Sequence, residues 1–340
     1  MTSFFIGNIA VTKPPPAPKK AVTPPEKSNA SFEKLNASLC TLESKFSSAG
    51  SSPQGTPTTV LNAADAAEPS AALREGLQGP DPVLMHKQAG VVARLMDYYF
   101  RLEIGGWDQL PPQPALLIGV HSGGPLTMDA WTIAYAWWRH FEGARTLHGT
   151  AHDVLMQTPG LGRYFRRMGV ICPTRENIQA ALAQGDDVIL WPGGEQDAFR
   201  SWRKRDKATL GDRSGFIRLA IRTGTPIVPV ATVGGHDTLF VLSEGRGLAK
   251  LLHLKKYLRS EVAPITLSLP LGVALHVTPL QHIPLPSKIR TQFLEPIYLD
   301  ADPAKADDPE YVRRMYLQVE SRLQAGMDQL AKKRKFPIFG

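Results

Sequence analysis

Apolar positions along the chain fall into two alternating patterns, and together they predict a repeated strand–helix order. Short continuous apolar runs read as strands buried on both faces. They are "ALLIGV" (115–120), "VICPT" (170–174), "DVILWP" (187–192) and "PIVPVATV" (226–233). Between them lie segments with helical spacing: 127–141, "RENIQAALAQG" (175–185) and "GFIRLAIRTG" (215–224), the last two stopped by glycine. "GRYFRRMG" (162–169) reads as helix or turn. Residues 83–101 carry Val91, Val92, Leu95, Met96, Tyr99 and Phe100 at amphipathic helical spacing, suited to core packing or to a membrane surface. A last amphipathic helix over 310–335 has Val312, Met315, Tyr316, Val319, Leu323 and Leu330 near one face. This punctuation predicts an α/β fold: one domain with a central, mostly parallel sheet flanked by helices, and ligands at the strand ends.

One stretch fits neither pattern. Residues 262–286 are strongly apolar, but Pro264, Pro270, Gly272 and Pro279 break any helix there. The expectation is a loop packed on the domain or dipping into a lipid interface, not a spanning helix.

Composition changes this picture at the N-terminus. Residues 1–80 are rich in Pro, Ser, Ala and Thr and are expected to form a disordered tail, with one marginal helix over 31–46. The folded domain is expected over 82–340. The 340 residues are 43% hydrophobic, enough for a sizeable core. The net charge is +8, and Lys and Arg nearly balance Asp and Glu within the first eighty residues, so the surplus belongs to the domain. A basic domain points to anionic partners. Nucleic acid is not expected, because no zinc-finger, nucleoprotein or basic-zipper pattern is present. Cys40 and Cys172 are the only cysteines, too few for a disulfide framework or a cysteine-rich metal site.

The candidate chemistry sits at strand ends. His121 follows the 115–120 run and precedes a Gly-Gly turn, which places an imidazole at a rigid edge as a candidate general base. Asp129 opens the next helix and could turn back to hold the imidazole tautomer. Ser122 has no "GxSxG" elbow around it, so a serine nucleophile is a weaker reading. Arg175 ends one run and begins a helix, a position suited to phosphate and equally to a surface ion pair. Gly193 and Gly194 follow the 187–192 run; their N–H groups could face an oxyanion, or simply make a tight turn. His148, His152 and Asp153 lack further ligands, so no metal is expected.

Four segments in one order carry a resemblance: "HSGGPLTMD" (121–129), "GVICPTR" (169–175), "WPGGEQD" (191–197) and "IVPV" (227–230). The chain resembles the glycerolipid acyltransferase superfamily over about residues 90–300. It is most similar to the diacylglycerol acyltransferase-like branch with a "PGG" third block, which includes plastid phytyl-ester synthases. The resemblance implies His121 as catalytic base, Asp129 as its partner and Arg175 at the phosphate-binding arginine position. It also implies a substrate-binding turn at Gly193, Gly194 and Glu195, with Arg200 and Arg203 as further phosphate contacts. Two departures stand out. The first block is His-x7-Asp where the family has His-x4-Asp, and Gly193 replaces the family's glutamate. The second departure favours a neutral acceptor.

The implied activity is esterification of a lipid alcohol, diacylglycerol or a long-chain alcohol, by acyl-CoA, which is a substrate; no cofactor is implied. Alternatives are a lysophosphatidate or lysophospholipid acyltransferase, and a non-catalytic lipid-binding adaptor on the same fold. The implied location is the cytoplasmic face of a membrane, peripheral or interfacially embedded.

Overall fold

A computed structural model of the chain describes residues 77–254, 260–276, 282–334 and 336. The expected tail helix over 31–46 lies outside the described residues. The strands are β1 (Glu103–Gly105), β2 (Leu116–Gly119), β3 (Leu147–His148), β4 (Asp187–Leu190), β5 (Ile227–Val233), β6 (Phe240–Ser243), β7 (Ile265–Ser268), β8 (Gly272–Leu275) and β9 (Arg290–Phe293). The helices are α1 (Pro82–Arg94), α2 (Met128–Phe141), α3 (Asp153–Gln157), α4 (Leu161–Arg167), α5 (Arg175–Gln184), α6 (Gly194–Ala198), α7 (Gly215–Thr223), α8 (Arg246–Leu251) and α9 (Pro309–Lys332).

Six strands form one sheet in the order β1-β9-β5-β2-β4-β3. All its pairings are parallel except β5–β9. This is the expected α/β architecture. β2 lies inside the sheet and every residue of it is buried, which is why it reads as an unbroken apolar run. Its side chains still alternate. Leu116 and Ile118 join Val188, Ile227 and Ala231 against α5, α7 and α9, while Leu117 joins Ile189, Val228, Val230 and Phe293 against Ile133 and Trp137 of α2.

Local chemistry explains the helix ends. Asp81 accepts hydrogen bonds from the backbone N–H groups of Val83 and Leu84 with Pro82 at the first helical position, and Asp308 does the same for Glu310 and Tyr311 ahead of α9. Thr174 caps α5 through Asn177 N, and Gly185 closes that helix at φ +94°. α9 buries Val312, Tyr316, Val319, Leu323 and Leu330, as its spacing predicts, together with Gly326 and Met327.

Three expectations need correction. The strand expected over 170–174 shrinks to a single bridge between Ile171 and Thr150. Gly169 turns the chain at φ +79°, Pro173 has no N–H to donate, and Thr174 already caps α5. The helix expected over 83–101 is α-helical only to Arg94 and continues as a wider π-turn over Leu95–Tyr99. Its apolar stripe divides: Met96 and Phe100 are buried, while Val91 and Leu95 face outward. The apolar 262–286 stretch is neither helix nor plain loop where it is described. It contributes β7 and β8, which with β6 form a separate antiparallel sheet.

Gly326 marks the closest approach of α9 to the sheet, since a Cβ there would lie 2.9 Å from the Ala231 side chain and 2.8 Å from Leu294. Gly326→Leu is expected to destabilise the protein by about 1–3 kcal/mol through overpacking. A urea melt of this variant against wild type measures the loss.

Candidate active site

The parallel pairing of β2 with β4 sets Ile118 beside Leu190. The residues that follow each strand therefore emerge side by side at one edge of the sheet. His121 comes from the first strand and Trp191 from the second. Their rings stack at 4.8 Å with 10° between planes. Gly119 makes room for this, because a Cβ there would lie 2.8 Å from the indole Nε1 of Trp191.

Asp129 meets His121 despite the long spacing between them. The residues between fold into a tight 3-10 turn over Gly124–Leu126, with Gly123 and Gly124 in left-handed conformation (φ +85° and +65°). The turn returns the chain so that Met128 N donates to Ser122 O at 2.9 Å. Asp129 then sits in the first turn of α2, a favourable place for a negative charge. Its Oδ2 lies 3.1 Å from His121 Nδ1, and its Oδ1 accepts from Ser122 N at 2.6 Å and Ser122 Oγ at 3.2 Å. Asp129 is fully buried, while the imidazole of His121 keeps 16% of its surface open. The Ser122 hydroxyl is buried and turned towards Asp129, away from the role of a nucleophile.

A second carboxylate holds His121 by its main chain. Asp197, buried at the end of α6, accepts from His121 N and forms an ion pair with Arg200. Arg200 is itself only 3% exposed, and its Nη2 donates to Arg205 O at 3.2 Å. Burial lowers its pKa to about 10, against the opposing pull of Asp129, Asp206 and Glu244. The guanidinium therefore remains charged at neutral pH. The loop after β5 closes the network. A Cβ on Gly235 would lie 2.0 Å from Ser122 Oγ. The next residue, His236, is held uncharged by burial and then by the positive charge of Arg200, well below the ordinary histidine range.

The other expected site residues are arranged differently from one another. Arg175 is exposed at the first position of α5 and has no polar partner among the described residues. α5 leads into β4, which runs parallel to β2, so its N-terminus lies at the same sheet edge as His121. Among the described residues no hydrogen bond or ion pair joins it to the His121 network. Arg200, expected at the substrate, is turned inward onto Asp197. Glu195 Oε1 accepts from Glu261 N at 2.7 Å, which ties the turn to the segment ahead of β7. Gly194 N donates to Trp191 O at 3.2 Å, so it is not a free oxyanion donor; Gly193 N has no partner among the described residues. Both glycines also have packing reasons. A Cβ on Gly193 would lie 2.3 Å from Thr209 O, and Gly194 (φ +56°) would meet Arg213 at 2.8 Å.

Sequence reasoning missed four contributors: Trp191 as a stacking partner, Asp197 as a main-chain anchor, Gly235 as a close-packing residue, and Arg213. Arg213 is exposed and donates to Pro192 O at 3.0 Å, bringing a second guanidinium to the glycine turn. Only Asp197, three residues before Arg200, carries a signal visible in the chain. The other three depend on contacts between strand ends. His148 and His152 also part company: His148 is buried against Gly169 O and Asp186, and His152 caps α3. Two hollows, of about 470 Å³ along α9 and 350 Å³ between α9 and β9, are lined by no residue of the His121 network.

The fold and this edge define an α/β protein with a His–Asp pair after one strand, β2, beside the end of its parallel neighbour β4. Comparison places it further. The sequence pattern of the family described as diacylglycerol acyltransferase matches residues 84–323. An uncharacterised protein of Mycobacterium tuberculosis is 28% identical, over 77% of this chain and 71% of its own length. Phytyl ester synthase 1 of Arabidopsis thaliana chloroplasts is 26% identical over 65% of this chain, which spans only 33% of that longer protein. Human 2-acylglycerol O-acyltransferase 3 is 28% identical over 42% of this chain and 44% of its own length. The chain belongs to the diacylglycerol acyltransferase family, and is a lipid acyltransferase.

Breaking a buried ion pair leaves its surviving charge uncompensated. Arg200→Met is expected to destabilise the protein by about 3–5 kcal/mol, with Asp197→Leu/Arg200→Met less damaging than the single change. Chemical denaturation of the two variants checks the order.

Proposed function

We propose that the protein transfers an acyl group from acyl-CoA to the hydroxyl of a lipid alcohol, with His121 as general base. The observation that carries this reading is the 3.1 Å contact between His121 Nδ1 and a carboxylate that is wholly buried and bonded to Ser122. Asp129 at Nδ1 leaves Nε2 to accept the acceptor's hydroxyl proton, and its charge stabilises the imidazolium that forms. The alkoxide oxygen attacks the thioester carbonyl. The carbon–sulfur bond breaks, and the CoA thiolate takes the proton back from His121. The Trp191 stack and the Asp197 bond to His121 N restrict ring and main chain, so little reorganisation remains for the transition state. Gly193 N–H is assigned to the oxyanion. Arg175 and Arg213, both exposed, are assigned to phosphate groups of CoA.

The acceptor class follows from the glycine turn. Gly193 stands where a glycerol-phosphate acyltransferase has a glutamate, and there is no room for a side chain at that position. This supports a neutral acceptor, diacylglycerol or a long-chain alcohol, over lysophosphatidate. Acceptor and product are bilayer lipids, so the reaction belongs at a membrane surface.

His121→Ala is expected to lower kcat by roughly 10²–10⁴ and to lower the thermal melt as well, because Asp129 Oδ2 loses its donor, so turnover is read at a temperature where the variant is folded. Thiol release from acyl-CoA reads the rate, with diacylglycerol, a long-chain alcohol and lysophosphatidate supplied in parallel. Near-normal turnover by a folded His121→Ala enzyme removes the mechanism, and preference for lysophosphatidate removes the acceptor assignment. Arg175→Ala should raise KM for acyl-CoA about tenfold with little change in kcat. An unchanged KM in that assay refutes the phosphate role.

A further inference from the structure

The geometry points to the outer face of the β6–β7–β8 sheet as a lipid-docking surface that seats the protein on an anionic bilayer. Strand β7 is inside out. Its polar residues Thr266 (0% exposed) and Ser268 (5%) point into the protein, while Leu267 (44%), and Leu269 (56%) just after the strand, point out. A half-buried strand in water has the opposite polarity. The inversion is not a register accident. Thr266 Oγ1 lies 3.3 Å from His276 Nδ1 on the buried side, so the inward polar groups are specifically accommodated.

The outward residues form a patch. Leu267 is directly opposite Val273 on β8 and Phe240 on β6, and Leu269 bridges to Ile283. Val273, Ile283 and Leu271 at the hairpin turn are 66%, 59% and 53% exposed. A contiguous apolar surface of this kind marks an interaction site.

Charge decides the occupant. Residues 262–287 contain no Asp, Glu, Lys or Arg, so insertion of the hairpin into an apolar medium desolvates no formal charge of its own. The segment just before it, 246–259, carries Arg246, Lys250, Lys255, Lys256 and Arg259 with no acidic residue. Arg246 and Lys250 are exposed on α8, beside exposed Leu251 (74%) and Leu252 (46%). Arg246 pairs with Glu244 at 2.8 Å, which leaves Lys250 as the exposed cation of α8 beside the apolar face. An uncharged apolar tip next to a segment with a basic surplus fits a surface that offers hydrocarbon beneath negative headgroups. Among the described residues no helix is long and apolar enough to cross a membrane.

The patch is bound to the site's scaffold. Glu195 accepts from Glu261 N, Gln196 donates to Glu261 Oε2 at 2.7 Å, and Ser201 N donates to Glu244 at 3.4 Å. Docking there holds the α6 turn, and the sheet edge bearing His121, against the lipid surface. The inference deepens the proposed function by naming how the site reaches its lipid.

The test is flotation of the full chain with vesicles of phosphatidylcholine, with and without phosphatidylserine. Wild type should float with the anionic vesicles and less well at high salt. Leu267→Ser/Leu269→Ser and Leu271→Ser/Val273→Ser should each partition at least about tenfold more weakly, with unchanged melts because the side chains are outside the core. Lys250→Ala should weaken binding to the anionic vesicles only. Wild type that stays in the soluble fraction, or serine variants that float as well as wild type, overturns the proposal. So does a change of oligomeric state in the variants without loss of flotation, which would make a second copy the occupant. Thiol release in detergent with soluble acceptor separates the two readings. A serine variant that keeps turnover but loses flotation upholds docking, and a wild type that floats without turnover defeats only the catalytic reading.

Discussion

The buried carboxylate of Asp129 is the constraint on which the site depends. An unpaired charge at that depth would be strongly destabilising, so its two oxygens must find donors. They find them in the His121 ring and in the main chain and hydroxyl of Ser122. Satisfying Asp129 therefore fixes both the imidazole and the backbone that carries it. Asp197 repeats the logic from the opposite side, with one oxygen on His121 N and the other on Arg200. The partly open ring and the main chain that carries it are thus each held by a carboxylate closed to solvent.

The parallel sheet makes this possible. Because β2, β4 and β5 run in one direction, the turns after them share one edge, and each contributes a different part. β2 supplies His121, β4 the indole and the glycine turn, and β5 the Gly235–His236 loop packed on Ser122. The glycines at these turns answer to packing, since backbone and side chains of neighbouring turns occupy the space their Cβ atoms would need. The three extra residues between His121 and Asp129 are absorbed in the same way, as a tight turn that returns the carboxylate to the ring.

The small antiparallel sheet stands apart in its chemistry. The main sheet hides its apolar residues on both faces, whereas β7 hides its hydroxyls and presents leucines. Hydrogen bonds from α6 and the residues after it join the two. The protein thus combines a rigid, ion-paired edge with a neighbouring surface of opposite character.

The sequence alone determined the α/β class, the main helices and the strands β2, β4 and β5, because their apolar periodicity is local and their caps lie within a few residues. It also singled out His121 and Asp129. It did not reveal β1 and β9, which are short and take their place only by pairing, or the polarity of β7, whose alternation reads alike whichever face is buried. It assigned Arg200 to substrate phosphate, because its spacing from Asp197 does not show that the pair is closed to solvent. Tertiary structure decided which charges are buried, which glycines are crowded and which leucines are left outside. Those properties belong to contacts between strand ends far apart along the chain.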